Sequence, residues 1–228
     1  MKNIFYIVVA GYLISSCSGL PIQTKAEAYP AMYDDRKPLS VLVIPAINNS
    51  TAAEATDFFN VTITEPLSNV GYYTMPVEIV KDIFQKEGIV DSTMIKGLPT
   101  SIFKKNFGAD AVLFVTINKW DKQYVVIAGN VSVSMDYVML STETSEVIWS
   151  YSATQTIDTT AESSGFIMLD ILSTAITTAT TDYVPIAKQV NYQAFTALPH
   201  GGYSDQHGLD QDQSISTTMK DAALEEDI

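Results

Sequence analysis

The sequence predicts a mixed α/β (α+β) domain: a sheet of about five strands with flanking helices, a long antiparallel hairpin and C-terminal helices. Three observations carry that reading. The run Leu39-Ser40-Val41-Leu42-Val43-Ile44, bounded by Pro38 and Pro45, is short and almost wholly apolar, as in a strand covered on both faces by helices. Further on, Val131, Val133, Met135, Tyr137 and Met139 alternate with Ser132, Ser134, Asp136 and Val138, as in a strand with one face on a core. Between these two segments, stretches with helical period separate short apolar runs.

The elements follow in order. Residues 1–16 form a lipoprotein signal peptide: Lys2 supplies the positive start, and the apolar stretch 4–14 is too short to span a bilayer, which takes about 20 residues. It ends in Leu13-Ile14-Ser15-Ser16-Cys17, a branched apolar residue, small residues and then the only cysteine of the chain. Cleavage after Ser16 and a covalent lipid on Cys17 are expected. Residues 17–38, with Gly19, Pro21, Pro30 and Pro38, are expected to be a tether, with irregular packing of 28–38 on the fold as the alternative. A single domain is expected over 39–198. The cluster Asn48-Asn49-Ser50-Thr51 precedes a helix over 52–69, which Pro66 should bend or split. Residues 72–75 form a second strand. Over 77–87, Val77, Val80 and Phe84 make one helical stripe, closed by Gly88. A short helix over 99–107 ends at Gly108. Residues 111–117 are the central strand, 123–140 the alternating one, 141–146 a turn, and Val147, Trp149 and Tyr151 resume the alternation to close a hairpin. Residues 161–183 return to helix, Pro185 breaks it, and 186–197 form a second helix. Residues 199–228, with seven acidic residues against one Lys, are expected to be a disordered tail.

Charge narrows the partners. The chain holds 13 basic and 26 acidic residues, a net charge of −13; loss of residues 1–16 removes only Lys2 and leaves −14. That opposes nucleic-acid binding and adsorption to anionic lipid, so membrane attachment is expected through acyl chains on Cys17. By resemblance to known lipoproteins, Ser18 after the cysteine favours the outer membrane, with the domain facing the periplasm.

Several stretches, in order and spacing, resemble one family. They are Ser40-Val41-Leu42-Val43-Ile44-Pro45, Asn48-Asn49-Ser50, Pro66-Leu67, and Gly71-Tyr72-Tyr73 with Pro76-Val77. Next come Phe107-Gly108-Ala109-Asp110-Ala111-Val112-Leu113, then Ile117, Lys119 and Trp120, the hairpin end Val147-Ile148-Trp149, and the exit Leu198-Pro199-His200-Gly201-Gly202-Tyr203. The family is that of bacterial lipoproteins whose best-known member is a neisserial genome-derived antigen, and the resemblance spans about residues 38–203. It implies a lipoprotein, in some members a suspected part of an envelope transport system. A looser fold-level likeness is to the curli-secretion lipoprotein CsgG and to the N-terminal domain of TolB. Their hairpin turn usually carries Thr-Gly; here it is Thr144-Ser145. A side chain at a left-handed position costs about 1 kcal/mol, so the turn is expected to differ.

No catalytic constellation stands out, and neither a cofactor nor a metal site is expected; the sequence lacks G-x-S-x-G, P-loop and H-E-x-x-H patterns. His200 and His207 with Asp205 and Asp210 offer at most weak metal ligation, and a solvated segment explains them better. Asp110 is expected to accept backbone N–H bonds at a helix-to-strand turn. Asn48 and Asn49, at the end of the first strand, are candidate ligand contacts, with helix capping as the alternative. Trp120 is a candidate interface anchor, with a core role as the alternative. Phe166, Ile167 and Ile171 lie on a helix with two apolar stripes, where one is enough to seal a core; the second suggests a partner or homodimer surface. The function expected is a non-enzymatic binding or assembly lipoprotein working with other envelope proteins, the alternative a small-ligand or glycan binder.

Overall fold

The computed structural model describes residues 23–35, 37–125, 128–158 and 183–215. The chain opens with β1 (Gln23–Thr24), α1 (Lys25–Ala28) and a 3-10 turn (Pro30–Met32). Then come β2 (Ser40–Val43), β3 (Ile47–Asn48), α2 (Ala55–Thr62), α3 (Thr64–Asn69), β4 (Tyr73–Thr74) and α4 (Val77–Lys86). After a second 3-10 turn (Ser92–Met94) follow α5 (Ser101–Phe107), β5 (Ala111–Val125), β6 (Ala128–Ser141), β7 (Val147–Asp158), α6 (Val184–Thr196) and β8 (Ser214–Ile215). The fold is the expected mixed α+β arrangement. Its main sheet has six strands in the order β4-β2-β5-β6-β7, with β3 also paired to β5. β4, β2, β3 and β5 run parallel; β5, β6 and β7 form an antiparallel meander.

The sheet separates two cores. Val41, Val43, Leu113, Val115, Ile117 and the alternating residues of β6 face α2 and α6, where Phe59, Ile63, Val190 and Phe195 are buried. Leu42, Ile44 and Val112 face α4 and α5, meeting Val80, Phe84 and Phe103. A strand with apolar residues on both sides needs such a sandwich, because either face left wet would forfeit its burial. α4 buries the stripe Val77, Val80 and Phe84, and Gly88 at φ 81° ends the segment. The helix expected over 52–69 is split at Ile63. Pro66 has no N–H for the Thr62 carbonyl four residues back, and its ring crowds that carbonyl. In the β6–β7 turn, Ser145 adopts φ 63° despite its side chain. Its hydroxyl lies 2.7 Å from that of Thr100, a bond that offsets the left-handed strain, so the position keeps the geometry for which glycine is usual.

Both ends depart from expectation. Residues 23–27, placed in the tether, and 28–35, for which packing on the fold was the alternative, are part of the folded body: Lys25, Tyr29 and Met32 are buried, and the Tyr29 hydroxyl donates to the Ser150 carbonyl (3.2 Å). Residues 199–215, expected to be disordered, are ordered against them. β8 pairs antiparallel with β1, and Ile215 and Asp210 are buried. The tail crosses the body where two glycine backbones touch. The Gly201 N–H donates to the Val70 carbonyl (2.8 Å) and the Tyr203 N–H to that of Gly71 (3.1 Å); a Cβ on Gly201 would sit 2.3 Å from the Gly71 oxygen.

Candidate functional site: an open strand edge

β2 breaks at Ile44, Pro45 and Ala46, and the chain resumes as β3. The Asn49 N–H donates to the Ile117 carbonyl of β5 (2.8 Å). Peptide groups alternate in direction along a strand, so those of Ile47 and Asn49 face β5 and those of Asn48 face away from it. β4 fills that outer lane only beside Ser40 and Val41, after which Pro76 turns the chain into α4. Beside β3, the lane holds no strand among the described residues.

The vacated lane is a cleft of about 290 Å³. One wall is α2, through Thr56 and Asn60; the other is α4 and the loop after it, through Phe84, Gln85, Ile89 and Ile95. Asn60 is buried, and its Oδ1 accepts the outward N–H of Ala46 (3.1 Å). Its Nδ2, also buried, has no hydrogen-bond partner among the described residues. A buried amide donor left unpaired costs on the order of 1–3 kcal/mol, and a native fold rarely carries one without a reason. Lys81 reaches Asp57 on α2 and Glu78 on its own helix, each at 3.6 Å, as an exposed bar beside the lane. Asp91 accepts the Thr93 N–H (2.7 Å), which holds its carboxyl below the usual range. What the cleft offers is hydrogen-bonding capacity on an open strand, flanked by one polar and one apolar wall.

The candidate residues fall as follows. Asn48 and Asn49 both line the cleft. The Asn48 side chain is occupied within its own loop: Oδ1 accepts from the Ser50 N–H (2.9 Å) and hydroxyl (2.7 Å), and Nδ2 donates to the Ala52 carbonyl (2.7 Å). It does not cap α2, whose N-cap is Glu54, and its outward group is the backbone rather than the amide. Asn49 is exposed. Trp120 is corrected as an interface anchor. It is 1% exposed and packs against Phe58, Phe59 and Tyr183 at ring-centroid distances of 5.7–6.2 Å, because β5 runs on past Ile117 under α2. Asp110 accepts the N–H groups of Leu39 (3.1 Å) and Ser40 (3.0 Å) at the start of β2 and pairs with Lys104. Burial pushes its carboxyl up, but these partners outweigh that and hold it low. Cys17, Phe166, Ile167 and Ile171 lie outside the described residues, as does the signal peptide.

A second polar cluster escaped sequence reasoning. Lys25 and Asp210, both almost fully buried, form an ion pair at 3.2 Å. The Lys25 ammonium also donates to the Leu198 carbonyl (3.1 Å), and Asp210 accepts the Tyr33 hydroxyl (3.1 Å) and the His200 N–H (3.0 Å). Burial raises the Asp210 carboxyl, while the His200 N–H, Lys25 and Tyr33 together bring it below its ordinary value. Asp210 is thereby committed to the fold, and among the described residues no group of three or more His, Cys, Asp and Glu side chains could hold a metal. Lys25, one of three basic residues in the segment 17–38, gives no sequence signal of a partner 185 residues away.

The family model described as putative lipoprotein GNA1162-like matches residues 28–203. The chain belongs to that family. A lipoprotein of the same kind, NMB1124/NMB1162 of Neisseria meningitidis serogroup B, is 24% identical over 205 residues, covering 89% of this chain and 94% of that one. The crystal structure of lipoprotein GNA1162 from Neisseria meningitidis is similar at 27% identity and TM-score 0.51, over 61% of this chain and 95% of that one. The resemblance drawn from the motifs between residues 38 and 203 is thus borne out. For this GNA1162-like chain, the family match begins at Ala28, inside the segment expected to be tether, and includes the Gly201 crossing. No helix among the described residues is long and apolar enough to cross a membrane.

Proposed function

We propose that this chain is a non-enzymatic docking component of the bacterial envelope, held at the outer membrane by lipid on Cys17 with its body in the periplasm. The observation that supports it best is where the body begins. Gln23 and Thr24 already pair with β8, and Lys25 is locked to Asp210. Only residues 18–22 separate the lipid acceptor Cys17 from Gln23, and a fully extended chain from one to the other reaches about 20 Å. A lipid there would hold the body close to the bilayer rather than on a long leash, while its charge of −14 after processing keeps it from adsorbing to anionic headgroups. Family membership agrees with the lipoprotein motif at Ser15-Ser16-Cys17, and Ser18 supports outer-membrane sorting. Partners would be other envelope proteins within that reach.

Protease added to intact and to permeabilised cells tests the orientation. The body should be cut only after permeabilisation; cleavage in intact cells would place it on the outer surface instead.

A further inference from the structure

We infer that the cleft beside β3 is a docking slot for an extended peptide of a partner protein, which adds as a strand in the lane that β4 leaves at Pro76. This rests on the docking reading above and names the partner's class. Strand addition needs a free edge with outward peptide groups, and Asn48 presents both its N–H and its C=O to the lane. It needs room: about 290 Å³ accepts two or three residues of extended chain. The edge has one further open valence, the buried Nδ2 of Asn60, whose Oδ1 already satisfies the Ala46 N–H of the same edge. A peptide carbonyl in the lane would take it.

The walls set the side chains. Successive residues of an added strand point to opposite faces of the sheet. One set would meet Phe84, Ile89 and Ile95 below, the other Thr56 and Asn60 above. The peptide should therefore alternate apolar with small polar residues. The charge of −14 after processing makes an acidic peptide unfavourable.

The test uses the full mature lipoprotein in detergent micelles and a phage-displayed library of random linear octapeptides, with selected sequences synthesised and measured by fluorescence anisotropy. Alternating, non-acidic peptides should be selected, and adding one should slow hydrogen exchange over residues 44–50. Gln85→Trp, an exposed helix position that fills the slot, should weaken binding at least tenfold with an unchanged circular dichroism spectrum. No selection above empty micelles, binding unaffected by Gln85→Trp, or exchange over 44–50 unaffected by peptide would each overturn the inference. Cys17→Ala should leave peptide affinity unchanged, so failure here and failure of the anchoring proposal are read separately.

Discussion

Asp210→Ala tests whether the Lys25–Asp210 contact holds residues 23–35 and 199–215 to the body. The substitution leaves the Lys25 ammonium, 3.2 Å from its lost partner, with the Leu198 carbonyl as its remaining acceptor. It also strips the Tyr33 hydroxyl and the His200 N–H of theirs. A buried ion pair is weak evidence of net stabilisation, since desolvation offsets much of the attraction; removing one partner is different, because it strands a charge in the interior, at about 3–5 kcal/mol. The unpaired donors are part of that cost. For a chain of this size each kcal/mol moves the melting temperature by about 2–4 °C, so a fall of about 6–20 °C is expected. Lys25→Met in the Asp210→Ala background removes the stranded charge and should recover about 1 kcal/mol or more. Urea unfolding followed by circular dichroism measures both. A loss below about 1 kcal/mol, or no recovery in the double variant, would show that Lys25 is not stranded without Asp210.

Other consequences are equally direct. Asp210 titrates below its ordinary value in the folded chain. Its contribution is therefore complete above the unfolded carboxylate pKa of about 3.9 and disappears as pH falls through the lower folded value; unfolding free energy against pH should steepen below about pH 4, and less so in Asp210→Ala. Gly201→Ala pushes a Cβ to 2.3 Å from the Gly71 oxygen and should cost about 1–3 kcal/mol by overpacking, read by thermal unfolding. Ser145→Gly should be neutral to within about 0.5 kcal/mol, relief of the left-handed strain balancing the lost bond to Thr100. Ser145→Ala keeps the strain, loses the bond and should cost about 1 kcal/mol.

What the sequence revealed and what it hid follow one physical division. β2, α4 and β6 were legible because burial there imposes a period: apolar on both sides for Val41 to Val43, a 3.6-residue stripe at Val77, Val80 and Phe84, strict alternation from Val131 to Met139. The two ends were not, because nothing periodic holds them. Residues 23–32 and 199–215 are secured by an ion pair, a Gly–Gly crossing, a two-residue ladder and scattered core contacts of Tyr29, Met32 and Ile215, each between positions far apart in the chain. Asp210 counted as one more solvated charge of an acidic tail; its burial depends on Lys25, which local pattern cannot reach. Trp120 illustrates the same limit. A Trp at an apparent strand end reads as an anchor or as core; the strand continues to Val125 and carries the ring beneath α2, which decides for core. The open edge was half legible: Asn48 and Asn49 marked the right loop, while the free lane depends on β4 stopping after Thr74, a tertiary fact.

A lipid on Cys17 would fix the body to the membrane on a leash of five residues, 18–22. Metabolic labelling with an alkyne fatty-acid analogue, followed by membrane fractionation of the wild type and of Cys17→Ala, tests it most directly. Label and outer-membrane recovery are expected for the wild type and neither for the variant. Label retained on Cys17→Ala, or a wild-type chain that is unlabelled and leaves the membrane fraction in high salt, would contradict it.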